Sequence, residues 1–137
     1  MKELGIPFRV VESEHSDEKY PADLLGGAIA RYLAEHKSES YTKRLESKQI
    51  LLTADTIVWH REKELGKPAN REEAVEMLRH LSGDTHQVYT GVCLRSAEAR
   101  SSFFTVTDVT FSRLIAISYT VKNFCLKTFT SLRIRDF

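Results

Sequence analysis

The sequence predicts an α/β domain, and three stretches of the chain carry that prediction. Residues 50–59 are mostly apolar and rich in β-branched and aromatic side chains, which is typical of a buried strand. Residues 71–82 repeat apolar side chains at helical spacing, and residues 85–95 alternate as a second strand does. The predicted elements therefore include both strands and a helix.

Composition limits the class of protein. A chain of 137 residues is long enough to form one domain with a real core. Its hydrophobic share of 42% and charged share of 28% are those of a soluble globular protein. No apolar run is long enough for a membrane helix, and no signal peptide follows Met1. A net charge of +1 gives no reason to expect nucleic acid or an anionic membrane as partner.

The two cysteines predict a reducing compartment. Cys93 and Cys125 have neither the spacing of metal ligands nor that of a redox pair. We therefore interpret them as reduced thiols in a cytoplasmic protein.

Asp55 is the residue that does not fit its surroundings. It interrupts the apolar strand 50–59, where a carboxylate is costly to bury unless another group pairs with it. One interpretation is an ordinary aspartate at a strand end, which caps a turn or faces water. The other is a catalytic or metal-binding carboxylate, with Lys67 brought back beside it by the turn that follows the strand. Pro68 stiffens the backbone on which Lys67 lies.

The first part of the chain contains weaker signals. Residues 1–5 resemble the end of a helix that stops at glycine, and residues 8–11 suggest a short strand. Residues 12–23 are acidic and irregular, as a solvated loop is. Residues 23–37 have a helical pattern, which the pair Gly26-Gly27 weakens by about 1 kcal/mol per glycine.

The clearest predicted helix covers residues 71–82. Asn70 is a good N-cap, and Glu73 is placed like the partner residue of a capping box. Gly83 supplies the C-terminal stop. We expect this helix to be scaffold, with His80 at its surface.

Two further strands are predicted after this helix. They cover residues 85–95 and 102–111, joined by a hairpin turn. His86 on the first of them is a poor candidate for a general base, because no second His or Cys lies at a suitable spacing. Gly91 is expected in the floor of a site, since glycine lets a backbone come close to a ligand.

Four segments together resemble a known family. They are TADTIV at 53–58, LGKP at 65–68, LRHLSG at 78–83 and THQVYTGV at 85–92. In order, spacing and residue type they are similar to the Maf family of nucleoside triphosphate pyrophosphatases, once described as septum-formation inhibitors. The resemblance extends from about residue 1 to about residue 113. It implies a mixed, strongly twisted sheet flanked by helices, with a cleft between two lobes.

The resemblance is incomplete at both ends. The arginine-rich phosphate loop near the start of the family's sequences has no counterpart here. All six Gly and all three Pro lie before residue 92, so the family's glycine-rich C-terminal pocket segment is missing as well. We therefore expect a partial Maf-like domain over residues 1–113 and a divergent tail over residues 114–137, in which 115–121 alternate like a strand.

The resemblance also implies the site residues. Asp55 would be the base that activates water, and Glu18 would share a Mg²⁺ or Mn²⁺ ion with it. Lys37 and Lys67 would bind the phosphates, and Thr56 resembles the subgroup that acts on dTTP and UTP. Two alternatives stay open: the register at Glu18 can slip by one residue, and Lys37 can be an ordinary exposed helix lysine.

Two functions from different classes follow. The first is hydrolysis of a nucleoside triphosphate to the monophosphate and pyrophosphate, with the triphosphate as the main binding partner. The second is a non-catalytic remnant or interaction protein that keeps the Maf scaffold. Homodimers occur in the family, but no feature of the sequence tests for one.

Overall fold

This computed structural model of the chain describes residues 7–11 and 19–113, and the backbone of residues 132–136. Its elements confirm the predicted α/β class. The predicted helix end at 1–5, the acidic stretch 12–18 that contains Glu18, and the alternating stretch 115–121 lie outside the described residues. The elements in chain order are β1 Arg9–Val11, α1 Gly27–Ser40, β2 Gln49–His60, β3 Lys63–Leu65, α2 Arg71–Leu81, β4 Thr85–Arg95, β5 Arg100–Thr110 and β6 Leu132–Asp136.

The strands form one sheet in the order β1-β6-β2-β4-β5, and β3 pairs with β2 outside that path. Every strand pair within the described ranges is antiparallel, so the parallel pair expected of a mixed sheet is not among them. For two of these pairs the reason is local: β2 with β3, and β4 with β5, are joined by short turns, and a parallel pair needs a long crossover. β6 belongs to the predicted divergent tail, yet it lies between β1 and β2 in this sheet.

Helix α1 packs on the face of the sheet to which alternate residues of β2 point. Burial along β2 alternates, and Ile57 packs with Ile29, Ala30 and Leu33 of α1 in one core cluster. The helix begins at Gly27, later than the predicted start at residue 23. Gly26 before it has a φ of 50°, a left-handed conformation that glycine adopts without strain and that a continuous helix does not contain.

Helix α2 confirms its predicted caps. Asn70 accepts a hydrogen bond from the Glu73 amide at 2.8 Å, and the Glu73 carboxylate accepts one from the Ala69 amide at 2.7 Å. Gly83 follows the helix with a φ of 74°. Neither α1 nor α2 has the length and apolar content needed to span a lipid bilayer, and these are the helices within the described residues.

Candidate functional site

A buried ion pair joins α1 to the middle of β2. Lys37 Nζ donates a hydrogen bond to Asp55 Oδ1, and the two side chains are only 4% and 6% exposed. Lys37 comes from the last part of α1, and Asp55 points from β2 toward that helix. A buried carboxylate and a buried ammonium are each costly to remove from water, so each stabilises the other at this place.

A glycine on the neighbouring strand lets α1 come this close to the sheet. Gly91 of β4 lies directly opposite Asp55 in the register, and a Cβ atom built on it would lie 2.1 Å from the carbonyl oxygen of Ala30. We expected Gly91 to allow a ligand to approach. The backbone that approaches it is that of α1.

A side-chain hydrogen bond fixes the helix at the same level. Thr53 Oγ1 donates to the carbonyl oxygen of Ala34 at 2.6 Å, and both groups are buried. Because Thr53 and Asp55 point to the same face of β2, this bond and the Lys37 ion pair attach one helix to one strand at adjacent positions.

The structure also describes two of the other predicted site residues, Lys67 and Thr56. Lys67 is exposed just beyond β3, and the ammonium group that the structure brings to Asp55 Oδ1 is that of Lys37. The Thr56 hydroxyl makes a 3.0 Å hydrogen bond with that of Thr90. Successive side chains of a strand point to opposite faces, so Thr56 and Asp55 lie on opposite faces of the sheet. Glu18 lies outside the described residues.

A second polar cluster surrounds the start of β4. His60 Nε2 and Arg61 lie 2.9 Å and 3.0 Å from the same oxygen of Asp84. The hydrogen bond with His60, then those from the Thr85 amide and Arg61, lower the pKa of Asp84 to about 2. The single sequence could not reveal this cluster, because its members come from two strands, the turn after β2 and the loop before β4.

His86 lies next to this cluster and is buried. Burial is the main cause that lowers the pKa of its imidazole, and the nearby His60 adds to the effect. Its Nδ1 has no hydrogen-bond partner within the described part of the chain, and its ring meets Phe111 edge to face at 4.9 Å. These surroundings are those of a packed core histidine.

The described residues do not by themselves complete a metal site. No group of three His, Cys, Asp or Glu side chains among them is placed to hold an ion. Asp55 offers a carboxylate, but one of its oxygens already accepts from Lys37. Mg²⁺ is usually held by one or two carboxylates together with phosphate oxygens of the substrate, so an ion at Asp55 would need ligands from outside this set.

A cavity of about 510 Å³ lies at the C-terminal end of α1. It is lined by residues 39, 41–45 and 95–97, from the loop after the helix and the turn between β4 and β5. Neither member of the Lys37–Asp55 pair lines it. In the described conformation the ion pair therefore lies under α1 and not in the wall of this cavity.

Comparisons with known proteins point to one family. Residues 1–120 match the family described as Maf-like protein. The chain is 48% identical over 114 residues to a dTTP/UTP pyrophosphatase of Bacteroides thetaiotaomicron, which covers 83% of this chain and 59% of that protein. It is 38% identical over 125 residues to a dTTP/UTP pyrophosphatase of Flavobacterium johnsoniae, covering 90% of this chain and 64% of that protein.

A third similar protein is the dTTP/UTP pyrophosphatase of Bacillus mycoides, 44% identical over 106 residues. The chain thus spans about three fifths of the length of the curated relatives it matches.

Proposed function

The chain belongs to the Maf family, and we propose that it acts as a nucleoside triphosphate pyrophosphatase. The proposed reaction is hydrolysis of the bond between the α- and β-phosphates, which yields a nucleoside monophosphate and pyrophosphate. The observation that carries the proposal is the buried Lys37–Asp55 ion pair, a costly arrangement at the centre of the sheet. Asp55 belongs to TADTIV, one of the segments by which the chain resembles the family, and the resemblance also implies Lys37 as a phosphate-binding residue.

In this proposal Asp55 is the general base. Its carboxylate turns from Lys37 toward a water molecule and takes a proton from it, and the water oxygen attacks the α-phosphorus. The bond from the α-phosphorus to the bridging oxygen breaks, and pyrophosphate leaves with the bonding electrons. Lys37 holds the carboxylate in place before the reaction, and together with Lys67 it neutralises negative charge on the phosphates.

The proposed substrates are dTTP and UTP, as the relatives' names suggest. Thr56 is the proposed base-selecting residue, on the condition that the nucleobase reaches the face of β2 opposite Asp55. A cytoplasmic location is proposed with this function, since that is where we expect the substrates.

A divalent ion, Mg²⁺ or Mn²⁺, is proposed to accompany the triphosphate. When bound it would neutralise charge on the phosphates. Because no group of three His, Cys, Asp or Glu side chains among the described residues is placed to hold an ion, the ion would be held mainly by the phosphates and Asp55, with Glu18 as the proposed additional ligand.

Pyrophosphate release from purified protein tests this function. We expect release from dTTP and UTP in the presence of Mg²⁺ or Mn²⁺, with much slower release from ATP and GTP and none with excess chelator. In water labelled with ¹⁸O, the label should enter the monophosphate, because water attacks the α-phosphorus. Label in pyrophosphate, or no turnover of any nucleotide, would contradict the proposal.

The second candidate is a non-catalytic protein that keeps the scaffold. The observation that favours it is the burial of Asp55 under α1, with one carboxylate oxygen already bonded to Lys37. It predicts that nucleotides raise the melting temperature or leave it unchanged, without any release of pyrophosphate.

A further inference from the structure

The cavity at the C-terminal end of α1 has a positively charged wall. Among the described residues that line it, the charged ones are Lys43, Arg44, Arg95 and Glu39. The Glu39 carboxylate already accepts a hydrogen bond from Arg100, which is not part of the wall. Because Arg100 offsets the charge of Glu39, three positive side chains of the wall determine which ligands the cavity attracts.

Arg95 is held in position at this cavity. It is half-buried at the end of β4, and its Nη2 donates a hydrogen bond to the carbonyl oxygen of Tyr41 at 2.7 Å. A guanidinium group has several N–H donors in a planar fork, so this bond leaves further donors for a ligand. Such a fork is well suited to phosphate, because two parallel N–H groups can meet two phosphate oxygens.

Lys43 and Arg44 lie on the loop that follows α1. Both side chains are exposed, and within the described part of the chain neither forms a hydrogen bond or an ion pair. They are therefore available to an anion that Arg95 binds. The carbonyl end of α1 carries a partial negative charge that opposes an anion, but the three full positive charges outweigh it.

The same cavity also has an apolar side. Leu45 is buried and packs with Leu51, and the Tyr41 side chain packs against both of them. Leu45 and Tyr41 line the cavity together with the cationic residues. Its volume of about 510 Å³ is in the range of sites for small molecules and exceeds what a phosphate group alone needs.

We propose that this cavity binds an organic phosphate, a small molecule that carries a phosphate group on an apolar or aromatic portion. Arg95 and Arg44 bind the phosphate oxygens, and Lys43 neutralises the remaining charge. Leu45 and Tyr41 contact the apolar portion. Neither Lys37 nor Asp55 lines this cavity, so the inference does not depend on the proposed hydrolysis.

Titration of the full chain with phenyl phosphate, followed by the NMR chemical shifts of its backbone amides, tests this proposal. We expect the amides of residues 41–45 and 95–97 to shift together and to reach saturation. Phenol, which lacks the phosphate, should leave them unchanged, and inorganic phosphate should bind about tenfold more weakly than phenyl phosphate.

A titration with UMP distinguishes the two sources of such a ligand. If UMP binds more tightly than phenyl phosphate at residues 41–45 and 95–97, the ligand is a nucleotide. If UMP binds equally or more weakly there, the ligand is another organic phosphate.

Two double variants locate the binding. Lys43→Gln with Arg44→Gln removes two charges from the cavity wall and should raise the Kd for phenyl phosphate about tenfold or more. The matched control, Lys48→Gln with Arg79→Gln, removes one lysine and one arginine at exposed positions outside the wall and should change the Kd less than about twofold.

The wild-type titration does not depend on the folding of any variant. Amides of residues 41–45 and 95–97 that do not shift with phenyl phosphate would overturn the proposal. So would equal losses of affinity in the two double variants, or inorganic phosphate that binds as tightly as phenyl phosphate.

Discussion

Among single residues, a lysine and an aspartate that are buried together matter most to the proposed function. Lys37 and Asp55 are less than a tenth exposed, and their ion pair lies between a helix and the middle of a sheet. Breaking such a pair from one side is costly because it leaves the other charge buried without its partner. A well-packed apolar pair of similar size would serve stability equally well. The pair therefore suggests a role beyond stability.

Replacing the lysine alone should be strongly destabilising. Lys37→Met keeps most of the side-chain volume but leaves the Asp55 carboxylate buried beside an apolar group. We expect the free energy of unfolding to fall by about 3–5 kcal/mol. Urea denaturation measures this change.

The double variant provides the control for that prediction. Adding Asp55→Asn to Lys37→Met removes the buried charge, so the double variant should be more stable than Lys37→Met alone. If the free energy of unfolding of Lys37→Met lies within about 1 kcal/mol of the wild-type value, the pair is not buried from water as the structure shows.

The sequence identified Asp55 as an unusual residue and the family resemblance implied Lys37 as a site residue, but the ion pair between the two is seen only in the structure. A carboxylate inside a β-branched apolar run can be recognised from the sequence alone, because burying a charge among apolar neighbours is costly in free energy. Its bond with Lys37 connects residues 18 positions apart and depends on how α1 lies on the sheet. That packing is a feature of the tertiary structure, so the sequence alone could not show which lysine meets Asp55 Oδ1.

Stability should fall in mild acid because His86 is buried. Burial lowers the pKa of its imidazole from the ordinary value of 6.5 in the folded state. The unfolded chain therefore binds the proton more readily, and stability is lost as the pH falls below about 6.5. We expect His86→Leu to lose less stability than the wild type between about pH 7.5 and pH 5.5.

The matched variant for this experiment is His80→Leu, at an exposed position on α2. Its urea midpoint should follow the wild-type pH dependence. If both leucine variants respond to pH in the same way, the burial of His86 is not what makes the protein sensitive to acid.

At the scale of elements, Gly91 decides how closely α1 lies on the sheet. A methyl group at this position would meet the Ala30 carbonyl oxygen and carbon at 2.1 Å and 2.2 Å. These are backbone atoms, so the helix itself must move away. Gly91→Ala should lower the free energy of unfolding by about 3 kcal/mol or more and pull Lys37 from Asp55.

Gly66→Ala is the natural comparison, because a methyl group there meets no atom of the described residues within 4 Å. It should change stability by less than about 0.5 kcal/mol. Equal stability losses for the two variants would contradict the close approach of α1 at Gly91.

Elements with strong local signals were predicted well. The bounds of β4 were correct to the residue, and α2 differs by one residue at its end, since caps and turns mark both elements. The position of β6 between β1 and β2 had no local signal. Strand order in a sheet depends on pairing between residues far apart in the sequence. The tail does not resemble the family's pattern, so its sequence gave no sign of where β6 pairs.

At the scale of the whole molecule, the chain places its polar groups in separate regions. The Lys37–Asp55 pair is at the sheet's centre, the His60–Asp84 cluster is at the start of β4, and the cavity is beyond the end of α1. Family membership was predictable because short segments of fixed order carry it. The substrate was suggested by the same resemblance, whereas the partners of each side chain required the fold.

The most direct test of the central claim compares two asparagine variants in the pyrophosphate-release assay with dTTP. Asp55→Asn keeps the shape of the side chain but cannot take a proton from water, so turnover should fall by a factor of about 100 to 10,000. Asp84→Asn removes an ion-paired aspartate elsewhere and should keep near wild-type turnover at a temperature where both variants are folded. Equal turnover in the wild type and Asp55→Asn would contradict the account.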